Sequence, residues 1–450
     1  MIGRGRFVNR RGAEAQSISV VCRSGFSREL PRFATEVAPT TVLSTRMTEL
    51  TARELLVHLY QTAVDAVDGR LLVQQWCREH PTASFDHCVA IGKAAAPMLQ
   101  GALDSLPKLN NALLISPQVA LPRAVKRNRK VKVIESAHPV PDQSSLDAGQ
   151  ALLAFLRAIP ADSSLLVLIS GGTSSLVEVP VDGVSLSQLQ QINRYLLASG
   201  KDIHTMNAWR RCFSRVKGGG LLQYLKPRHC TQLIISDVRG DDPAVIGSGL
   251  LVSSSNTQRD SDDWLQSLLP QQGPPLEHDI EVKTHLVGSL KKAMQAVIDE
   301  ANFQGLPQYQ HGDFISGDAI EQGRRIGKLL LDEAVGIHVW GGETTVELPP
   351  KPGLGGRNQS LALSLATVID GVEDLAVLAA GTDGIDGNTP CAGAIVSGTS
   401  AKLARQMGFD IDVELDKANA GTVLMAIGDL FKPGPTNTNV MDLIIAYKRR

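Results

Sequence analysis

Leu165-Leu-Val-Leu-Ile169, followed at once by Ser170-Gly171-Gly172-Thr173-Ser174-Ser175, decides how this chain folds: an aliphatic run stops at a glycine cluster rich in hydroxyls. A continuous apolar run, without polar alternation, suits a strand buried on both faces in a parallel sheet covered by helices. The same punctuation recurs in CVAIGKAAA (88–96), QLIISDVRGDD (232–242), IHVWGGETT (337–345) and LAVLAAGTDGIDG (375–387). It appears without an obvious strand in LGGRN (354–358). In open α/β sheets, ligands bind beyond the carboxyl ends of the strands, where glycine lets backbone approach and helix N-termini attract anions. The pattern predicts an anion-binding rim.

With 450 residues, the chain exceeds what one hydrophobic core usually serves, so two domains are expected. Apolar strands alternate with amphipathic helical stretches from about residue 50 to 250, which predicts a Rossmann-like, doubly wound α/β domain over 47–283. Residues 252–280, rich in Ser, Gln, Asp and Pro, read as an excursion or link. A helix is predicted from Leu290, Ala293, Met294, Val297, Ile298 and Ala301, with Gly305 as its stop. It opens a second α/β domain over 284–450, with strands near 335–340, 375–380 and 443–447.

Residues 1–46 carry eight arginines against three acidic residues, with no apolar run of signal-sequence length. This segment reads as a disordered leader of transit-peptide type or as an over-extended reading frame ahead of Met47. Order is expected from Thr51-Ala-Arg-Glu54, a capping box. The net charge of −1 gives no electrostatic case for nucleic acid, and nothing in the chain suggests a membrane. The six cysteines are scattered, without C-x-x-C or His at ligand spacing, so neither a disulfide framework nor a zinc site is expected. A reducing cytoplasm fits best.

Several residues at the rim carry candidate chemistry. Ser170, Gly171, Gly172, Thr173 and Ser174 could wrap an anion, or simply form a tight turn. In Ser236-Asp237-Val-Arg-Gly-Asp241-Asp242, one or two carboxylates could hold Mg²⁺ while phosphates and water complete the octahedron. Gly381-Thr-Asp383-Gly-Ile-Asp386-Gly387 presses backbone against a ligand and leaves one carboxylate as metal anchor or base. Lys93 is a compact cation at the mouth of a strand, and Arg357 between Gly356 and Asn358 offers a planar donor fork. His138-Pro-Val-Pro-Asp142 reads more as a stiff structural loop than as a ligand site. The run from Asn207 through Arg211 and Lys217 to Gly218-Gly219-Gly220 fits an anion-facing helix end or a basic surface.

Taken in order, these segments resemble the glycerate 2-kinase family whose C-terminal part is the MOFRL domain, and whose members are also called hydroxypyruvate reductases. The resemblance runs from about Leu50 to Tyr447. It rests on GKAA (92–95), HPVPD (138–142), SGGTSSL (170–176), SDVRGDD (236–242), GGETTV (341–346), GGRN (355–358), GTDGIDG (381–387) and GPTNTNVMD (434–442). It implies ATP-dependent phosphorylation of D-glycerate to 2-phosphoglycerate with Mg²⁺, in a cleft between two α/β domains. Lys93, Arg357, Asp383 and Asp386 are then the expected catalytic groups. Expected to bind nucleotide or substrate are Ser170, Gly171, Gly172, Thr173, Ser174, Arg211, Lys217, Gly218, Gly219, Glu343, Gly355, Gly356 and Asn358. Asp237 and Asp242 are the expected metal ligands. Thr173, Arg239 and Asn437 depart from the residues common in the family, which bears on donor preference and substrate fit.

The alternative, an NAD(P)H-dependent hydroxypyruvate reductase, would need a dinucleotide fingerprint. GGGLLQ (218–223), GSGLLV (247–252) and GLGGRN (353–358) each lack the last glycine of G-x-G-x-x-G. The expected partners are small molecules, glycerate and nucleotide, with a homodimer as the expected assembly.

Overall fold

Two β-sheets order the chain. The computed structural model describes residues 51–117, 121–201, 203–226, 229–252, 259–269 and 280–449. The leader, and most of the 252–280 link, lie outside the described residues.

The first sheet contains β1 (His87–Ile91), β2 (Asn111–Ser116), β3 (Val131–Glu135), β4 (Ser164–Ile169), β5 (His229–Ile235) and β6 (Val282–Gly288). All its pairings are parallel, in the order β3-β2-β1-β4-β5-β6. Central β1 and β4 are buried almost throughout, whereas the outer strands β3 and β6 alternate or remain half-buried. This is the doubly wound arrangement expected, with its topological switch between β1 and β4.

The second sheet is mixed. It comprises β7 (Gln308–Gln310), β8 (Ile315–Asp318), β9 (Gly336–Thr345), β10 (Leu375–Gly381), β11 (Gly393–Ser397), β12 (Leu430–Phe431) and β13 (Asp442–Lys448). Its path is β12-β11-β10-β13-β9-β7, with β8 also on β9. The last strand, β13, lies antiparallel between β10 and β9, so Asp442 stands opposite Gly381 and Gly342.

The helices that position the site are α1 (Ala52–Ala66), α2 (Ala95–Ser105), α3 (Gln143–Ala158), α4 (Ile203–Cys212), α5 (Leu290–Phe303), α6 (Ala319–Asp332) and α7 (Arg357–Val368). Thr51 and Glu54 form the capping box expected at the start of α1. The boundary expected at 283/284 cuts through β6, a strand of the first sheet. Helix α1, from the opposite end of the chain, packs on α5, β10 and β13. One hydrophobic core is therefore shared: Leu56, Leu59, Tyr60, Leu166, Leu233, Val297, Leu378 and Leu443 all belong to it. Among the described residues, no helix is long and apolar enough to cross a membrane.

On the far face of the second sheet, α6 and α7 approach so closely that a Cβ at Gly323 would lie 2.1 Å from Ser364 Oγ and 2.3 Å from the Leu361 carbonyl oxygen. Helix backbones cannot absorb this without separating. Gly323→Ala is expected to cost about 1–3 kcal/mol of stability, read as a lower urea midpoint at unchanged m-value.

Candidate active site

The turns that leave β1 and β4 at the switch point are bonded to each other. Lys93 N donates to the Gly171 carbonyl (2.9 Å), and Ala94 N donates to Ser170 Oγ (3.0 Å). Thr173 Oγ1 donates to the carbonyls of Ile91 (3.0 Å) and Ser170 (2.7 Å). Ser170 and Thr173 are buried. These two hydroxyls, expected to meet nucleotide or substrate, instead build the turn.

Their glycines serve close approach. A Cβ at Gly171 would lie 2.2 Å from Asp237 Oδ2; Gly172, at φ 84°, leaves room for the His138 ring. Asp237, at the end of β5, is consequently wedged against the turn, within electrostatic range of Lys93 and Glu343. Burial pushes its carboxyl up to about 6, against the pull of Lys93.

Lys93 Nζ reaches across to Asp383 Oδ2 at 3.2 Å, so the first sheet's switch point meets the loop after β10. The Arg357 fork, at the start of α7, is occupied by carboxylates. Nε and Nη2 bind the two oxygens of Asp442 (2.6 and 3.0 Å), and Nη1 binds Glu343 Oε1 at 2.7 Å. Burial opposes the Arg357 charge, but its bonds to Asp442 and the charge of Glu343 hold its pKa above the usual value. Burial likewise pushes the Glu343 carboxyl up, and the Asp442 charge adds to this. Lys93 and Arg357, 264 positions apart in sequence, thus serve one carboxylate cluster.

A cavity of about 270 Å³ opens beside Asp237. His138, Gly172, Ser174, Asn207, Arg210 and Asp237 contribute to its walls. The Arg210 guanidinium is steadied by Asn193 Oδ1 (3.1 Å) and Asn207 Oδ1 (3.3 Å), and burial lowers its pKa. The His138 imidazole is pushed down to about 4 by burial and then by the Lys93 charge, so it is neutral at pH 7. Ser174 Oγ shares a 2.6 Å hydrogen bond with Ser248 Oγ.

Other expected site residues have structural partners. Lys217 borders the cavity, but its ammonium forms a buried 2.5 Å pair with Glu178. The amides of Gly218 and Gly219, expected to cradle phosphate, donate to Ser248 and Gly249 carbonyls at 2.8 and 2.7 Å. Arg211 packs under Gly218 and lies within electrostatic range of Asp242. Asp242 Oδ1 accepts from Ala244 N at 2.9 Å, forming a local turn. Among the described residues, no group of three or more His, Cys, Asp or Glu is poised as a metal site. Gly355 N donates to Asn388 Oδ1 at 2.9 Å.

Asp386, expected as a base, instead caps α7. Its carboxylate accepts from the amides of Asn358 (3.1 Å) and Gln359 (2.9 Å), and its residue exposure is 3%. Gly356 permits this, since a Cβ there would lie 2.3 Å from Asp386 Oδ1. The amides of a helix N-terminus that would attract a phosphate are thus filled by the protein's own anion.

Sequence reasoning missed Asp442 and Asn193 as site groups, took in Arg210 only as part of an anion-facing helix end or basic surface, and weighed His138 towards structure. Asp442 follows no glycine and ends no apolar run; only antiparallel pairing with β9 sets it beside Glu343 and Arg357. Arg210 could be found from the polar run at 207–217, although helix phase, not composition, turns it and not its neighbour towards the cavity.

Residues 55–276 match a domain of unknown function (DUF4147), and residues 336–442 match the MOFRL family. The chain is 33% identical to the glycerate 2-kinase of Pyrococcus horikoshii, across 85% of this chain and 91% of that protein. It is 33% identical to an Agrobacterium vitis protein named "Putative hydroxypyruvate reductase", across 88% and 95% respectively. The crystal structure of glycerate kinase from Thermotoga maritima superposes with a TM-score of 0.77 at 29% identity, covering 88% of this chain and 99% of that one.

Removing the α7 cap strands two amides: Asp386→Ala is expected to cost about 1–3 kcal/mol in chemical unfolding. Burial raises the Asp386 carboxyl from 3.8 to about 6, so the folded state binds its proton more tightly than the unfolded state. Its contribution to stability is complete below pH ~4 and lost as pH rises through ~6. Stability measured over this window should decline more steeply with pH in the wild type than in Asp386→Asn.

Proposed function

This chain belongs to the glycerate 2-kinase family with a MOFRL region, and we propose that it transfers the γ-phosphoryl group of ATP to the 2-hydroxyl of D-glycerate, with Mg²⁺. The observation that carries this reading is the Lys93–Asp383 contact. It joins the switch point of a Rossmann-like sheet to a carboxylate cluster on the second sheet, beside a polar cavity. The proposed division into two domains, with the reaction in a cleft between them, uses the same contact. A cytoplasmic homodimer completes the proposal.

Phosphoryl transfer asks a protein mainly for positioning and charge neutralisation. Lys93, 28% exposed in its side chain, is an accessible cation at the turn and can exchange Asp383 for a phosphoryl oxygen. Arg210 and Asn207 supply donors for the carboxylate of a three-carbon acid in the polar cavity. Asp237 borders the same cavity with its carboxyl near 6, which suits a group that accepts the substrate hydroxyl proton at neutral pH. Arg357 neutralises Asp442 and steadies Glu343.

The donor set fits Mg²⁺. Glu343 and Asp383 are the more open carboxylates, at 45% and 24% side-chain exposure, and the pKa of Glu343 is raised among neighbours that a divalent cation would relieve. One or two carboxylates with phosphate oxygens and water suffice for this ion. When bound, it neutralises charge on the donor phosphates.

Purified protein with D-glycerate, ATP and Mg²⁺ should release ADP and yield 2-phosphoglycerate. NADH consumption with hydroxypyruvate, without ADP release, would overturn the proposal. Lys93→Ala should lower kcat by about 10²-fold, as expected on losing an electrostatic donor to the transition state. Asp386→Asn, which keeps an acceptor for one of the two α7 amides, should stay within about threefold of wild type, whereas loss of a true general base costs ~10²-fold or more.

A further inference from the structure

A second cavity, of about 300 Å³, lies on the other side of Val238 from the polar one. Val238 borders both. Leu290 and Met294 of α5, Gly341 of β9, Met441 and Phe314 contribute to its walls, with Arg239 at the rim. Three carboxylates of the site are tied to this wall by the chain itself. Asp237 precedes Val238, Asp442 follows Met441, and Glu343 stands two residues beyond Gly341, hence on the same face of β9. The wall shared with the polar cavity is Val238, the residue directly after Asp237.

The chemistry of this cavity differs from that of its neighbour. Val238, Leu290 and Met294 present aliphatic and thioether surface, and the Arg239 guanidinium lies 5.1 Å from the centroid of the Phe314 ring. With the Arg239 guanidinium over one face of Phe314, a flat heteroaromatic ring gains by stacking on the outer face of the guanidinium, against the aliphatic side chains, while Asp241, Lys291, His311 and Asp313 line the remaining wall. The volume is at the lower end of the ~300–1,000 Å³ usual for small-molecule sites, enough for a base and too small for a dinucleotide.

We propose that this cavity takes the base of the nucleoside triphosphate donor, with its phosphates extending to the carboxylate cluster, while the polar cavity takes the three-carbon acid. The proposal rests on the kinase reading. Arg239 and Phe314 set affinity for the base, and the shared Val238 wall sets the two substrates on opposite sides of the reacting phosphoryl group.

Calorimetric titration of the full chain with ADP, and separately with inorganic tripolyphosphate, tests this. Arg239→Ala and Phe314→Ala should each weaken ADP about tenfold while changing tripolyphosphate affinity less than about twofold. In steady state, the KM for ATP should rise and that for glycerate should not. Arg239 is exposed, so its variant decides the matter if Phe314→Ala fails to fold. Unchanged ADP affinity, equal loss of both ligands, or no ADP binding by the wild type would overturn the proposal. The two readings fail separately. A wild type that binds ADP through these residues yet leaves glycerate unphosphorylated removes the activity and retains the cavity. A competent kinase whose variants bind ADP normally does the reverse.

Discussion

A lysine from one sheet held by an aspartate from the other is the constraint on which this site depends. The Lys93 backbone has little freedom, because its own amide is bonded to the Gly171 carbonyl and the next amide to the Ser170 hydroxyl. Its side chain therefore starts from a fixed point, and the ammonium reaches Asp383 at 3.2 Å. Asp383 is equally fixed: Thr382 bonds the Met441 carbonyl through its hydroxyl (2.6 Å), and Tyr60 of α1 donates to the Gly381 carbonyl (2.7 Å). The ion pair marks where two independently braced loops meet.

Around it, acid exceeds base. Asp237, Glu343, Asp383 and Asp442 crowd Lys93 and Arg357, and burial raises Asp237 and Glu343. Such a surplus is costly in a folded protein unless a cation or a protonated group joins it. The glycine-rich turns, by contrast, make much of their own hydrogen bonding internally. Ser170, Thr173, Gly218 and Gly219 all find protein partners, and Asp386 occupies the amides at the head of α7. The glycines here bring carboxylates and rings close to backbone, which is a different use from wrapping a phosphate.

The first sheet was largely legible in the sequence because its inner strands are buried on both sides and so read as unbroken aliphatic runs ending in glycine. Edge strand β6 was not: its half-buried alternation, after a polar stretch, made residue 283 look like a boundary. Lys93 and Arg357 were found through their glycine neighbours. What Arg357 touches could not be, since Asp442 reaches it by antiparallel pairing between strands about a hundred residues apart. Asp386 misled for a related reason: a carboxylate amid glycines looks like chemistry, and only the approach of α7 reveals a cap.

The seating of α1 also bears on how the molecule is made. Helix α1 is synthesised well before β13, one of the strands it packs against, since Ala66 and Asp442 stand 376 positions apart. The hydroxyl of its buried Tyr60 gains its partner, the Gly381 carbonyl, only after 321 further residues have been added. Vectorial folding, domain by domain from the N-terminus, cannot complete such a molecule. The buried face of α1, with Leu56, Leu59 and Tyr60, stays uncovered by β10 and β13 until those distant strands have been made.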